Sequence, residues 1–547
     1  MDTQHITSAY ESWSSGTKGF LLAYVLVAAF SLFGLKRGRA TAQQYLFWPL
    51  SSLVTLVVVG VLLAIMQAIL QSVFKTQPTA VLEVLVSALF MVFGGFGGGL
   101  YWASRSGRNK ALHARGAVVM ETAQAQRHAR GLETQARRST VESLTLVGIP
   151  VPFEDETKHF KFVGTTGSGK STAMRELLEG ALKRGDRAVI ADPDGSFLSR
   201  FYSPSRGDVI LNPFDARSAK WDLFAELKNP YDIDQMARAL IPDRANADPT
   251  WTNYGRTFFG AIVRQAQACD ADMGELYRLL TAAKSEELRV LVDGTAAAPF
   301  LEAGNEKFFG SVHSTVADHV RCLEYVCAQR AASFSVRDWI KSGRGVLFLP
   351  YQADQIAALR SIISTWMRLA IFQTLSLGEG DSRLWFGVDE LDALGPIDGL
   401  SDALPRLRKV GGRCALGLQS ISQMSTTYGQ GLAQAMVENC GTTLALRCSA
   451  SENGGTSRFV SRLIGEREVL RVVKSTSRSR HGLLRPSTST QGSSEQHATE
   501  FAVMPAEIEQ LPDRSGFLKF PSQPAWMRVS FPYYDVPKIA EPFSPWS

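Results

Sequence analysis

Residues 164–172 read Gly-Thr-Thr-Gly-Ser-Gly-Lys-Ser-Thr, the GxxxxGK[ST] spacing of a loop that cradles phosphate. Gly164, Gly167 and Gly169 let the backbone turn its amides inward, with Thr165, Thr166 and Ser168 between them. Lys170 then brings an ammonium to the β and γ phosphates. The Ser171 hydroxyl suits a Mg2+ ligand, and Thr172 continues into a helix whose positive end faces the anion. Such a site needs one more carboxylate for the metal and another to polarise water. The apolar stretch Leu384–Val388 ends in Asp389 and Glu390, which supply both: Asp389 acts on Mg2+ directly or through its water, and Glu390 orients or deprotonates the attacking water. The next apolar stretch, Cys414–Leu418, ends in Gln419, a candidate γ-phosphate sensor. Arg406, Arg408, Lys409 and Arg413 lie between the two. One of these arginines could neutralise transition-state charge in a neighbouring subunit's site, or the group could form a basic surface facing solvent or DNA. The implied substrate is a nucleoside triphosphate with Mg2+.

These residues need particular elements to position them. Phe160–Val163 has the pattern of a buried strand, and the helix formers AMRELLEGALKR follow the loop, so the motif sits in strand–loop–helix context. Residues 223–335 carry many helical periods and little strand pattern, which predicts an all-α insertion. Residues 150–222 and 336–535 are then expected to close into one parallel nucleotide-binding sheet, leaving 536–547 as a C-terminal tail. His313 and His319 are six residues apart, off the i, i+4 spacing that would place them on one helical face. Trp251 and Asn253 could serve folding or DNA binding, with Trp251 as a packed, buried tryptophan the favoured expectation. Lys474–Thr499, rich in Ser and Thr between VLRVV and EFAVM, reads as a flexible hairpin tip carrying Arg478, Arg480, His481 and Arg485.

The chain has 547 residues, 45% of them hydrophobic and 20% charged, which excludes global disorder. Its 58 basic and 52 acidic residues leave a net charge of +6, too mild for binding of a polyanion by bulk charge alone. Six cysteines without a CxxC pair suggest neither a disulfide framework nor a zinc ribbon. Residues 1–104 differ from the rest: apolar runs near 19–35, 50–74 and 81–103 match the ~20 helical residues that span a bilayer. Lys36, Arg37 and Arg39 follow the first run, and Arg105, Arg108, Lys110 and Arg115 follow the third. Two or three transmembrane helices are therefore expected, with the bulk of the chain on the cytoplasmic side. Residues 105–149, rich in Ala, Gln and Arg, read as a helical linker.

Beyond the generic phosphate motifs, ADPDGSF (191–197), DVILNPFDARSAKWD (208–222), DPTWTNYGRTFF (248–259), VDELDAL (388–394), RKVGGR, GLQSISQ and MPAEIEQLP (504–512) follow one another in an order that resembles the type IV coupling proteins of bacterial conjugation, the TraD and TrwB group. The likeness runs from the first apolar span to about residue 535. It implies an α/β, RecA-like P-loop NTPase domain with an inserted all-α domain and N-terminal transmembrane helices. It also implies a homo-hexameric ATPase of the bacterial inner membrane, using ATP and Mg2+ and similar to FtsK-type DNA pumps. The expected partners are single-stranded DNA, a relaxase or relaxosome, type IV secretion inner-membrane components and the lipid bilayer. The resemblance favours Arg408 as the arginine finger. Relatives often carry a long acidic tail after the motor domain, whereas this sequence runs to PYYDVPKIAEPFSPWS, so the all-α insertion is the expected relaxosome recruiter. A receptor that recruits protein substrates and uses nucleotide only to switch conformation is the alternative. A chromosome pump is disfavoured because no winged-helix module follows the motor.

Overall fold

The computed structural model describes residues 3–37, 42–74, 80–104, 112–136, 142–243, 249–380, 382–451, 455–479 and 488–546. The chain divides into two compact units, Met1–Leu112 with Leu470–His497, and His113–Val469 with Ala498–Ser547.

In the first unit the apolar runs form helices Thr3–Arg37, Trp48–Phe74 and Ala80–Ser104. Small residues let them approach closely. A Cβ on Gly95 or Gly99 would strike the carbonyl oxygen of Val27 or Ser31, and one on Gly94 or Gly98 would strike Val59 or Thr55. Among the described residues, Phe20–Arg37, with mean hydropathy 1.7 over 18 residues, is long and apolar enough to cross a membrane, while Trp48–Leu62 and Val86–Trp102 are shorter apolar stretches. The unit also takes in residues 470–497 from two long strands, Glu466–Ser479 and Thr488–Phe501. Most of the Ser/Thr-rich run is thus strand rather than hairpin tip: Thr is a good strand former and hydrogen-bonded pairing overrides its low complexity. Arg480, His481 and Arg485 lie outside the described residues, as do Arg39, Arg105, Arg108 and Lys110.

The second unit is built on a ten-stranded sheet. Its spatial order is Val119–Met120, Trp526–Ser530, Ser515–Lys519, Thr442–Ala445, Phe160–Val163, Gly412–Leu418, Leu384–Val388, Arg187–Pro193, Val346–Tyr351, Val209–Ile210. The seven strands from Thr442–Ala445 onward are parallel, but Ser515–Lys519 pairs antiparallel with Thr442–Ala445 and with Trp526–Ser530. The sheet is therefore mixed, where a parallel one was expected; a short hairpin joins 515–519 to 526–530 and so reverses direction. Val119–Met120, in the stretch read as a helical linker, is its edge strand, and Thr122–Ala136 is the helix that follows.

The central strands are buried along their whole length, as unbroken apolar runs covered on both faces must be. Alternate side chains go to opposite cores: Val189, Ala191, Leu349 and Val388 to one, and Phe160, Phe162, Ile190, Phe348 and Trp385 to the other. Each such side chain contributes roughly 1.5–3 kcal/mol by leaving water. Helix Lys170–Lys183 sets Met174, Leu177 and Leu178 on the second core, and stops where Gly185 takes φ 88° and Asp186 N–H bonds Ala181 O at 3.0 Å.

Between the strand Val209–Ile210 and the strand Val346–Tyr351 the chain is mainly helical, including Pro230–Leu240, Thr250–Ala268 and Glu306–Val320. Lys220–Trp221 and Ser333–Phe334 pair in parallel where this insertion leaves and returns. Trp251, expected to be buried, is 42% exposed and leans on the rings of Tyr254 and Phe308. Asn253 is exposed, His313 stacks on Phe309, and His319 Nδ1 bonds the Thr315 carbonyl at 2.8 Å. Residues 539–546 are clipped down: Ile539 N–H donates to Ser199 O (2.8 Å) and Trp546 Nε1 to Pro213 O (3.0 Å).

Candidate nucleotide-binding site

The loop from Gly164 to Gly169 joins the strand Phe160–Val163 to the helix that starts at Lys170, so it lies at the carboxyl edge of the sheet. Gly169 adopts φ 111°, and a Cβ there would come within 3.0 Å of Arg514 Cγ. Only glycine serves this turn without strain. One strand lies between the loop's strand and Leu384–Val388, which delivers Asp389 and Glu390 to the same edge.

The two motifs meet directly. Ser171 Oγ donates to Asp389 Oδ2 at 2.6 Å. Asp389 is buried, and its other oxygen, Oδ1, is buried without a hydrogen-bond partner. Burial pushes the Asp389 pKa up, against the pull of Ser171 and Lys170. Lys170 Nζ is folded back on the loop, donating to Gly164 O and, at 3.2 Å, to Thr165 O; burial lowers its pKa. Gln419, at the end of the intervening strand, donates through Nε2 to Glu390 Oε1 and accepts from Thr166 Oγ1 at 3.4 Å. Burial, then the neighbouring Asp389 and Asp392, raise the Glu390 pKa.

Together these groups line a chamber of about 400 Å³. Thr165, Thr166, Gly167, Gly169 and Thr172 belong to its wall. Gly164 and Ser168 lie beneath it: the Gly164 carbonyl holds Lys170, and Ser168 Oγ donates to Thr165 O at 2.6 Å. Arg408 is not part of the wall. It is exposed beside Arg406 and Lys409, whereas Arg413 is buried, pairs with Glu156 at 3.2 Å and packs on Trp385. Arg413 is thus spent inside its own fold.

Four wall residues escaped the sequence reading: Arg175, Asp513, Arg514 and Tyr533. Arg175 lies one helical turn past Ser171, and its Nε donates to Ser171 O at 3.0 Å, so helical spacing would have found it. Asp513, Arg514 and Tyr533 come from the end of the chain. Arg514 N–H donates to Ser168 O at 2.8 Å, Asp513 pairs with Arg447 at 2.7 Å, and Tyr533 lies 5.7 Å from the Arg175 guanidinium. No local pattern foretells that juxtaposition.

A hydroxyl and a carboxylate with one unpaired oxygen form a hard-oxygen donor set, which fits Mg2+ better than a softer metal. The inward-turning loop and Lys170 fit a polyphosphate.

Comparisons with known proteins agree with this geometry. The family model described as the type IV secretion-system coupling protein DNA-binding domain matches residues 143–532. The coupling protein TraD of Escherichia coli (strain K12) is 33% identical over 408 residues, 73% of this chain, and the chain spans 56% of that relative's length. The plasmid coupling protein TrwB in complex with the non-hydrolysable ATP analogue ADPNP is similar in structure, with TM-score 0.69 and 30% identity over 80% of this chain and 98% of that one. TrwB in complex with ADP and Mg2+ is similar too, with TM-score 0.68 and 30% identity over 79% and 97%. The strand order, the joined phosphate and acid motifs and these likenesses lead to one assignment: the chain belongs to the type IV secretion-system coupling proteins of the TraD and TrwB group.

Proposed function

We propose that this protein is a P-loop ATPase that hydrolyses ATP with Mg2+ to move single-stranded DNA, linking a relaxase-bound strand to the inner-membrane components of a type IV secretion system. The observation that carries the reading is the Ser171–Asp389 bond with its unpaired Asp389 Oδ1 beneath the glycine loop. Bound Mg2+, held by Ser171 and Asp389, would supply charge neutralisation on the β and γ phosphates. The protein's own groups do the rest. Lys170 exchanges the Gly164 carbonyl for phosphate oxygens, Gln419 turns from Glu390 toward the γ phosphate, and Glu390, freed, takes the proton of the attacking water. Arg408, exposed and away from its own chamber, would complete the site of the next subunit in a homo-hexamer.

The apolar helix Thr3–Arg37 supports anchoring in the inner membrane, and helices Trp48–Phe74 and Ala80–Ser104 would form a further hairpin in the lipid bilayer. DNA contacts through phosphates should weaken steeply with salt.

The test is ATP turnover by the detergent-extracted protein with and without single-stranded DNA. DNA-stimulated hydrolysis that Lys170→Ala abolishes supports the motor. Nucleotide binding without DNA-dependent turnover would favour a switch that recruits protein substrates instead.

A further inference from the structure

The strand Val346–Tyr351 ends in a tyrosine that the mechanism above leaves unused. Tyr351 is 4% exposed, and its hydroxyl is buried without a hydrogen-bond partner. An orphaned polar group of this kind lowers stability unless some state of the molecule pairs it.

Sheet register shows which group can pair it. Leu349 and Val388 are both level with Ala191 on the strand between them, and all three side chains enter the same core. Two residues on, Tyr351 is level with Pro193, and Glu390 stands the same two residues past Val388. Tyr351 closes its strand and Glu390 follows the end of Leu384–Val388, so both stand at the carboxyl edge, on either side of the strand Arg187–Pro193. Two strand spacings, about 9.6 Å, separate their chains, a gap that a tyrosine and a glutamate extended toward each other can close. The charges facing the hydroxyl are, in order of influence, Glu390, Asp389, Asp192 and Asp194. Burial and these acids hold the phenol far above its ordinary pKa, so it remains a donor. Glu390 in turn faces Asp389, Asp392 and Lys170, and is held from the opposite side by Gln419 Nε2.

We propose that Tyr351 is the positioning residue for Glu390: when Gln419 leaves Glu390 for the γ phosphate, the Tyr351 hydroxyl donates to the freed carboxylate and aims it at the attacking water. The exchange replaces one neutral donor by another, so Glu390 stays oriented until it takes the proton of the water. It also gives a partner to a hydroxyl that is otherwise buried without one. The inference rests on the ATPase reading and deepens it.

Tyr351→Phe removes the hydroxyl and little else. In the full-length protein with single-stranded DNA, kcat should fall about tenfold or more while the Kd for ADPNP is unchanged. The thermal midpoint without nucleotide should be unchanged or higher, since an unpaired hydroxyl is gone. In the Glu390→Gln background, Tyr351→Phe should cost nothing further. Unchanged kcat would overturn the proposal, as would a fall in kcat that comes with a lower midpoint and weaker ADPNP binding, or a full additional loss in the Glu390→Gln background. Failure of the ATPase reading itself would look different: the unaltered protein would not turn over.

Discussion

Ser171 and Asp389, 218 residues apart in sequence, share a hydrogen bond of 2.6 Å. That contact makes one chemical centre of the glycine loop and the second acid motif, and the variants below follow from it.

Lys170→Ala should lower ATP turnover by about 10²–10³ or more, the range for losing one preorganised charge donor at a reacting centre. Phosphate release measured with saturating single-stranded DNA checks this. Asp389→Asn should instead leave ADPNP binding without its Mg2+ dependence.

Arg408→Ala should spare ADPNP affinity yet reduce turnover by roughly 10³, as expected of a finger that acts in trans. Mixing Arg408→Ala subunits with Lys170→Ala subunits should restore part of the activity, because some interfaces then pair an intact Lys170 with an intact Arg408. Absence of any recovery in mixed assemblies would place Arg408 outside the reaction.

Glu156→Gln should destabilise the second unit by up to about 3–5 kcal/mol, the cost of removing one partner of a buried ion pair, with Asp186 still pairing Arg184. Glu156 is fully buried and takes bonds from Arg184 (2.8 Å twice) and from Arg413 (3.2 Å). Denaturation followed by tryptophan fluorescence would show it, because Trp385 lies against Arg413.

Two buried groups should give opposite pH dependences of stability. Burial lowers the His159 pKa to about 4, with Nε2–H donated to Leu404 O and Nδ1 accepting from Cys414 N–H. Between about pH 4 and 6.5 the unfolded chain binds the proton and the folded one does not, so this contribution grows with pH, by about 3 kcal/mol. Burial raises the Asp192 pKa to about 7, despite bonds from the Phe197 and Leu198 amides and Ser196. From about pH 4 to 7 the folded state holds the extra proton, so this contribution falls as pH rises, by about 4 kcal/mol. The parent should show little net slope from the pair; His159→Gln should leave stability decreasing with pH, and Asp192→Asn should leave it increasing. Denaturation midpoints between pH 4.5 and 7 decide.

Much of this was readable beforehand, for local reasons. The loop, its helix and the acids at 389 and 390 announce themselves because phosphate binding demands particular residues at fixed spacing. Gln419 follows from the rule that strands deliver side chains to their carboxyl edge. Asp513, Arg514 and Tyr533 were not readable, since nothing local in them says that the end of the chain folds back over Gly169. The antiparallel strand Ser515–Lys519 and the edge strand Val119–Met120 were missed because two- to five-residue strands leave too short a pattern to read. Trp251 was misplaced because an aromatic residue inside a helical period resembles core even when it is partly exposed.

The paired segments Lys220–Trp221 and Ser333–Phe334 give the helical insertion one doorway for both passages of the chain. A cassette that enters and leaves through a single gate can lengthen, shorten or be exchanged without shifting the strands that grip the nucleotide. The insertion is thereby free to diversify while the nucleotide-binding strands stay constant.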